Sequence, residues 1–240
     1  MATSASPAPR NIDFVRSMVF LKDDADWVRK LLIGSLVMLA AFFLVGVPFL
    51  IGYCQRTVKR TAEGAAVPLP DWDDWGGLFR EGLKIYGVML VHVLVLLVPM
   101  MCCMGGLFGV MGAAQNAGEN VGGALGALGA LGAVVVYGVL FLLAVAMSVY
   151  LPSAQARVAL GGTFKDAFQT KANLAFIRRN GMNYALTLAV MLVTNLLSQF
   201  GIFLLCIGVL PATLWSLLAY SWALGETIRH DSQFASTGTI

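Results

Sequence analysis

The chain has 240 residues, 58% of them hydrophobic and only 12% charged, about half the charged share of an ordinary soluble domain. That balance excludes a water-soluble globular fold, whose surface needs more polar residues than this sequence holds. The formal charge of +3 is no argument for nucleic acid, because the basic residues have a simpler use in setting membrane topology.

In chain order, residues 1–10 are rich in Ala, Ser and Pro and read as a disordered tail. Residues 11–30, NIDFVRSMVFLKDDADWVRK, set Phe14, Met18, Leu21 and Trp27 among charges, the pattern of an amphipathic helix lying in the membrane interface. Their mixed charge and the length of the apolar run that follows do not resemble a cleaved signal. Asp24 or Asp26 is expected to cap the next helix. The run over 31–52 is long enough for the ~20 residues that cross a bilayer, but Gly46 and Pro48 interrupt it. Further spans are expected over about 85–108, 124–150, 182–200 and 203–224, and residues 152–179 repeat the basic, aromatic character of the N-terminal segment.

Lys and Arg number five in each of 1–30, 53–84 and 152–181, none in 112–123 and one in 225–240. Positive charge marks the cytoplasmic side. The loop with Glu119 is therefore expected outside, and the basic loops and C-terminus inside, at a bacterial cytoplasmic (inner) membrane. A conflict follows. If 31–52 crosses once, residues 1–30 and 53–84 lie on opposite faces and one basic group is on the wrong side. A re-entrant hairpin turning near Gly46 and Pro48 removes the conflict, and a simple span stays open as the alternative. The fold class is all-α: a polytopic transmembrane helical bundle with interfacial amphipathic helices, in one membrane domain over 11–240.

The candidate chemistry is sparse. Asp71, Asp73 and Asp74 in PLPDWDDW are candidate ligands for a hard cation such as Mg²⁺. A structural reading competes. Pro68 and Pro70 hold the loop extended, Trp72 and Trp75 sit at headgroup depth, Asp73 or Asp74 caps the helix starting near Trp75, and the acids meet Arg56, Lys59 or Arg60. In PMMCCM, at most Met100, Cys103 and Met104 share a helix face as soft ligands. His92, Asn195 and Gln199 lie inside expected spans, as a polar ligand site or as helix-pinning hydrogen bonds. Gly105 and Gly109, with Gly122 and Gly126, form small-xxx-small pairs expected to pack two spans as a tight hairpin. Cys54, Cys102, Cys103 and Cys206 show no disulfide or zinc spacing. No catalytic triad, phosphate loop or cofactor motif is present, so no cofactor is expected and the chain reads as non-enzymatic.

The stretches DADWVRKLLIGSL, GVPFLIGYCQRTVKRTAEG and PLPDWDDWGGLFREGLK, with LPSAQARVALGGTFKDAF, FIRRN and ALGETIR further on, resemble a bacterial and archaeal membrane family known as domain of unknown function 4013. Trp27, Lys30, Gly52, Tyr53, Arg56, Gly64, Pro68, Leu69, Pro70, Trp72, Trp75, Phe79 and Gly82 fall on its pattern. The Gly/Ala-rich stretch over 105–133 departs from it. The resemblance implies the membrane architecture and carries no activity.

Three function classes follow. The first is a scaffold or accessory subunit that docks other membrane subunits, or copies of itself, through small-residue faces, with Trp27, Pro48 and the signature residues as structure. The second is a transporter or lipid-handling protein using His92, Asn195, Gln199 and a broken first segment. The third is a metal-dependent enzyme at the membrane surface. The partners expected are the lipid bilayer and other membrane subunits or copies of the chain, and no nucleic acid.

Overall fold

The computed structural model describes residues 11–203 and 208–237, with no strand among them. The tail expected over 1–10, the start of the span expected over 203–224, and Cys206 fall wholly or partly outside the described residues. Nine helices are described: α1 (Phe14–Val19), α2 (Trp27–Ala41), α3 (Val47–Ala62), α4 (Trp75–Asn116), α5 (Glu119–Ala159), α6 (Thr170–Arg179), α7 (Gly181–Gln199), α8 (Val209–Arg229) and α9 (Ser232–Thr237). Two compact units result, one from the residues up to Gly87 and from Pro152 onward, the other Val88–Leu151. Among the described residues, three stretches are long and apolar enough to cross a membrane: Trp75–Asn116, Asn120–Ala159 and Gly181–Phe203.

Local rules set the helix ends of the first unit. Asp13 caps α1 by accepting the Arg16 N–H at 3.0 Å. Asp26 holds the N-cap position of α2 but makes no side-chain cap. The buried Asp24 instead accepts the Asp26 N–H at 2.8 Å. Residues 42–46 break the chain between α2 and α3, with Leu44 in the left-handed region at φ 64° and Pro48 in the first turn of α3, where its missing N–H costs nothing. α3 ends in a Schellman motif. Gly64 adopts φ 75°, and the Ala65 and Gly64 N–H groups bond Arg60 O and Thr61 O, both at 2.9 Å.

α8 is the most covered helix, and α1, α2, α3 and α7 all pack on it. Its hydrocarbon is interrupted by Ser216, Ser221 and Thr227. Those hydroxyls and their neighbours seam it to α7: Thr187 and Thr227 oxygens lie 2.8 Å apart, and Ser216 donates to Thr194 at 3.0 Å. Such short polar side chains let helices approach closely and pin them. The core around the seam includes Phe20, Tyr53, Leu69, Trp72, Leu218 and Trp222.

In the second unit the glycine pairs do not make the tight hairpin expected of them. Gly122 sits against Ala114 O and Gly129 against Val110, but Gly105, Gly109 and Gly126 have nothing within 4 Å of where a Cβ would stand. The physical reason is the face α4 offers. Met104, Leu107, Phe108 and Met111 oppose the α5 glycine row and leave a gap of about 570 Å³.

Candidate functional site: the PLPDWDDW platform

Two glycines bring α3 and α4 together. A Cβ on Gly82 would stand 1.7 Å from Pro48 O, and one on Gly52 would stand 2.0 Å from Leu78 O. Backbone meets backbone at this crossing, so a side chain at either point would force the helices apart. The loop between the helices then folds over them. Tyr53 donates to Pro70 O at 2.9 Å, and Trp72 stacks on the Tyr53 ring at 4.1 Å with the planes 7° apart. The Trp72 indole N–H donates to Lys30 O at 3.0 Å. Pro68 and Pro70 are buried with it. Trp72 is therefore packed within the protein and not presented to lipid: it is 8% exposed, because stacking and the indole hydrogen bond draw it into the core. Trp75, 42% exposed, packs edge-on against Phe49. Trp27 is partly buried against the same core.

The three acids part company. Asp71 pairs with Lys30 at 2.8 Å, and Lys30 also binds Asp24 at 2.7 Å. Asp74 caps α4 through the Gly77 N–H at 2.9 Å and pairs with Arg56 at 2.6 Å. Arg56 forks onto Glu81 at 2.9 and 3.0 Å. Asp73 accepts the Asp74 N–H at 2.9 Å. Lys59 and Arg60 do not take the loop acids: Lys59 stands 4.0 Å from Glu63, and Arg60 donates to Val67 O at 3.0 Å. Among the described residues no three His, Cys, Asp or Glu side chains gather to hold a metal.

These pairings set the protonation of the layer. The hydrogen bond from Lys30 holds the Asp71 carboxyl below its ordinary range. That from Arg56, with the Gly77 N–H, does the same for Asp74. Burial pulls the Lys30 ammonium down, but Asp24 and Asp71 outweigh it and raise it overall. The fork to Glu81 raises Arg56. All four groups stay charged near neutrality.

Beside the platform a cleft of about 520 Å³ is lined by Gln55, Arg56, Lys59, Arg60, Asp73 and Lys84, among others. Gln55 is 7% exposed, and its Oε1 is buried without a hydrogen-bond partner. No sequence pattern distinguishes Gln55 from its neighbours.

Of the remaining expected site residues, His92 belongs to the second unit, and Asn195 and Gln199 to the first. His92 is buried, its Nδ1 2.7 Å from Val88 O one turn back and its ring 5.6 Å from that of Tyr150. Asn195 and Gln199 are exposed on α7, while Thr194 beside them takes the hydrogen bond from Ser216 of α8 and Ser198 donates to Asn195 O within α7 at 2.7 Å. Cys54, Cys102 and Cys103 are free thiols. Met104 Sδ accepts from Tyr137 at 2.8 Å.

Neither the curated proteins nor the solved structures contain a match to this chain. One family model does match, over residues 35–207. The match takes in the platform and most of the helices, leaving DADWVRK before it and ALGETIR after it outside. The chain belongs to the family described as proteins of unknown function, DUF4013.

Proposed function

We propose that this protein is a non-catalytic integral membrane component, a scaffold or accessory subunit that docks other membrane helices. The observation that supports it is the bareness of the second unit. The apolar window of α5 is 0% buried and that of α4 11%, and Gly105, Gly106, Gly109 and Gly126 offer open small-residue surface. Lipid alone asks for hydrocarbon, whereas close helix approach asks for small residues. A lipid-handling reading is favoured by one different feature, the apolar gap between Met104, Phe108 and Gly126, which has room for part of an acyl chain.

Native mass spectrometry of the gently extracted protein separates the two. A defined oligomer or protein partner, lost in Gly109→Leu, supports the scaffold. A monomer that keeps a stoichiometric lipid, and loses it in Gly126→Leu, supports lipid handling. A bare monomer unaffected by either substitution overturns both.

A further inference from the structure

The α2–α3 turn exposes four successive large apolar side chains, Phe42 (85%), Phe43 (80%), Leu44 (69%) and Val45 (64%). Gly46 closes the turn tightly, for a Cβ there would stand 2.3 Å from Val37 O. The other ends of the two helices are tied together. Lys30 binds Asp71 and receives the Trp72 indole through its carbonyl, while Tyr53 binds Pro70 and stacks on Trp72. One loop, residues 70–72, thus holds both ends of the segment.

The arms between base and tip are short. From Leu31 to Ala41 the helix rises about 16 Å, and from Val47 to Cys54 about 12 Å. Neither covers the ~30 Å of a hydrocarbon core, but each fits within one leaflet. No Asp, Glu, Lys or Arg occurs from 31 to 55, while Arg29 and Lys30 precede the segment and Arg56, Lys59 and Arg60 follow it. A charged base under a bare aromatic tip is the pattern of a wedge in lipid.

We propose that residues 31–52 form a re-entrant hairpin that enters one leaflet, seats Phe42–Val45 among acyl chains and returns to the side it left. The occupant of this surface is lipid: the tip is a convex turn whose side chains stand clear of their own unit, and its reach matches a leaflet. The arrangement puts the basic groups of 1–30 and 53–84 on one face, as the charge rule requires. It rests on the membrane reading and is independent of the docking role, whose test reads oligomeric state.

The test uses the full chain, freed of its four cysteines, in sealed membrane vesicles of one orientation. Single cysteines at Ala25→Cys and Ala66→Cys, both exposed positions, are probed with an impermeant maleimide. A nitroxide at Phe43→Cys is read for collision with oxygen and with a water-soluble nickel chelate. Labelling of 25 and 66 from the same side is expected, with oxygen collisions at 43 several-fold above nickel and a depth of no more than about 16 Å below the phosphates. Labelling from opposite sides overturns the hairpin. A nitroxide reached by nickel as in water, or shielded from both reagents by protein, overturns the lipid seat. Should the cysteine-free chain fail to fold, trypsin on sealed vesicles of the unaltered chain decides: cutting near Lys22 and Lys59 from one side supports the hairpin, and from opposite sides overturns it.

Discussion

Replacing Gly82 with alanine tests the α3–α4 crossing on which the platform stands. The new Cβ would be placed 1.7 Å from Pro48 O and 2.7 Å from Gly52 N, and both obstacles are backbone that no rotamer change removes. Carbon contacts settle near 3.5 Å, so the helices have to part by about 2 Å. That parting stretches the Arg56–Glu81 fork, now 2.9 Å, and loosens the Tyr53–Trp72 stack. Overpacking of this kind costs about 3 kcal/mol, the upper end of its range. Alanine's helix propensity returns about 1 kcal/mol. The net loss is about 2 kcal/mol, roughly 30-fold in the folded-to-unfolded ratio. Gly105→Ala is the control, since nothing lies within 4 Å of its Cβ position, and it is expected to be neutral or to stabilise by up to about 1 kcal/mol. Reversible unfolding in mixed micelles with rising SDS, followed by tryptophan fluorescence, reads both. A Gly82→Ala protein within about 0.5 kcal/mol of the parent would refute the reasoning.

Three other substitutions probe the polar layer. Asp231 is fully buried and accepts from Arg179 at 3.3 Å and from the Gln233 N–H at 2.7 Å, so Asp231→Ala is expected to cost about 2 kcal/mol by removing the acceptor of these bonds, with Asp231→Asn milder in the same titration. Tyr53→Phe keeps the stack but orphans Pro70 O, a loss of about 1 kcal/mol, detectable as an earlier SDS midpoint. Asp74 has its carboxyl lowered by Arg56 and then by Gly77, so its contribution is present above the unfolded value of 3.8 and is lost as pH falls through the lower folded value. The thermal-midpoint gap between parent and Asp74→Asn should therefore be constant above about pH 5 and close on acidification below 3.8, and a gap independent of pH would count against the pairing.

What the sequence revealed and what it concealed divide along physical lines. The launch of α4 at Trp75 from an aspartate and the break near Gly46 and Pro48 are governed by chemistry within a few residues, so they could be read directly. Asp74 meeting Arg56 followed from proximity across one loop. Asp71 choosing Lys30 did not, because that pair forms only once the α2–α3 hairpin closes and brings residues 41 positions apart into contact. Trp72 misled for a related reason: an interfacial tryptophan and a core tryptophan look alike until the Tyr53 ring is found beneath it. The α5 glycines signalled close approach, but whether they achieve it depends on Met104, Leu107 and Phe108 across the gap, which no single-helix pattern reports.

The absence of Lys and Arg from 88 to 151 also bears on how the protein is made. When the apolar arms of α4 and α5 are threaded into a membrane, the turn between them brings a single formal charge, Glu119, through the hydrocarbon, a passage on the order of 3 kcal/mol for an acidic side chain. The paired helices satisfy their own backbone groups on the way. Entry by the opposite end would drag cation after cation through the same barrier. On the expectation that the basic loops stay on the cytoplasmic side, this gap in the charge pattern would set the direction of threading, and one lysine placed in the turn would be enough to contest it.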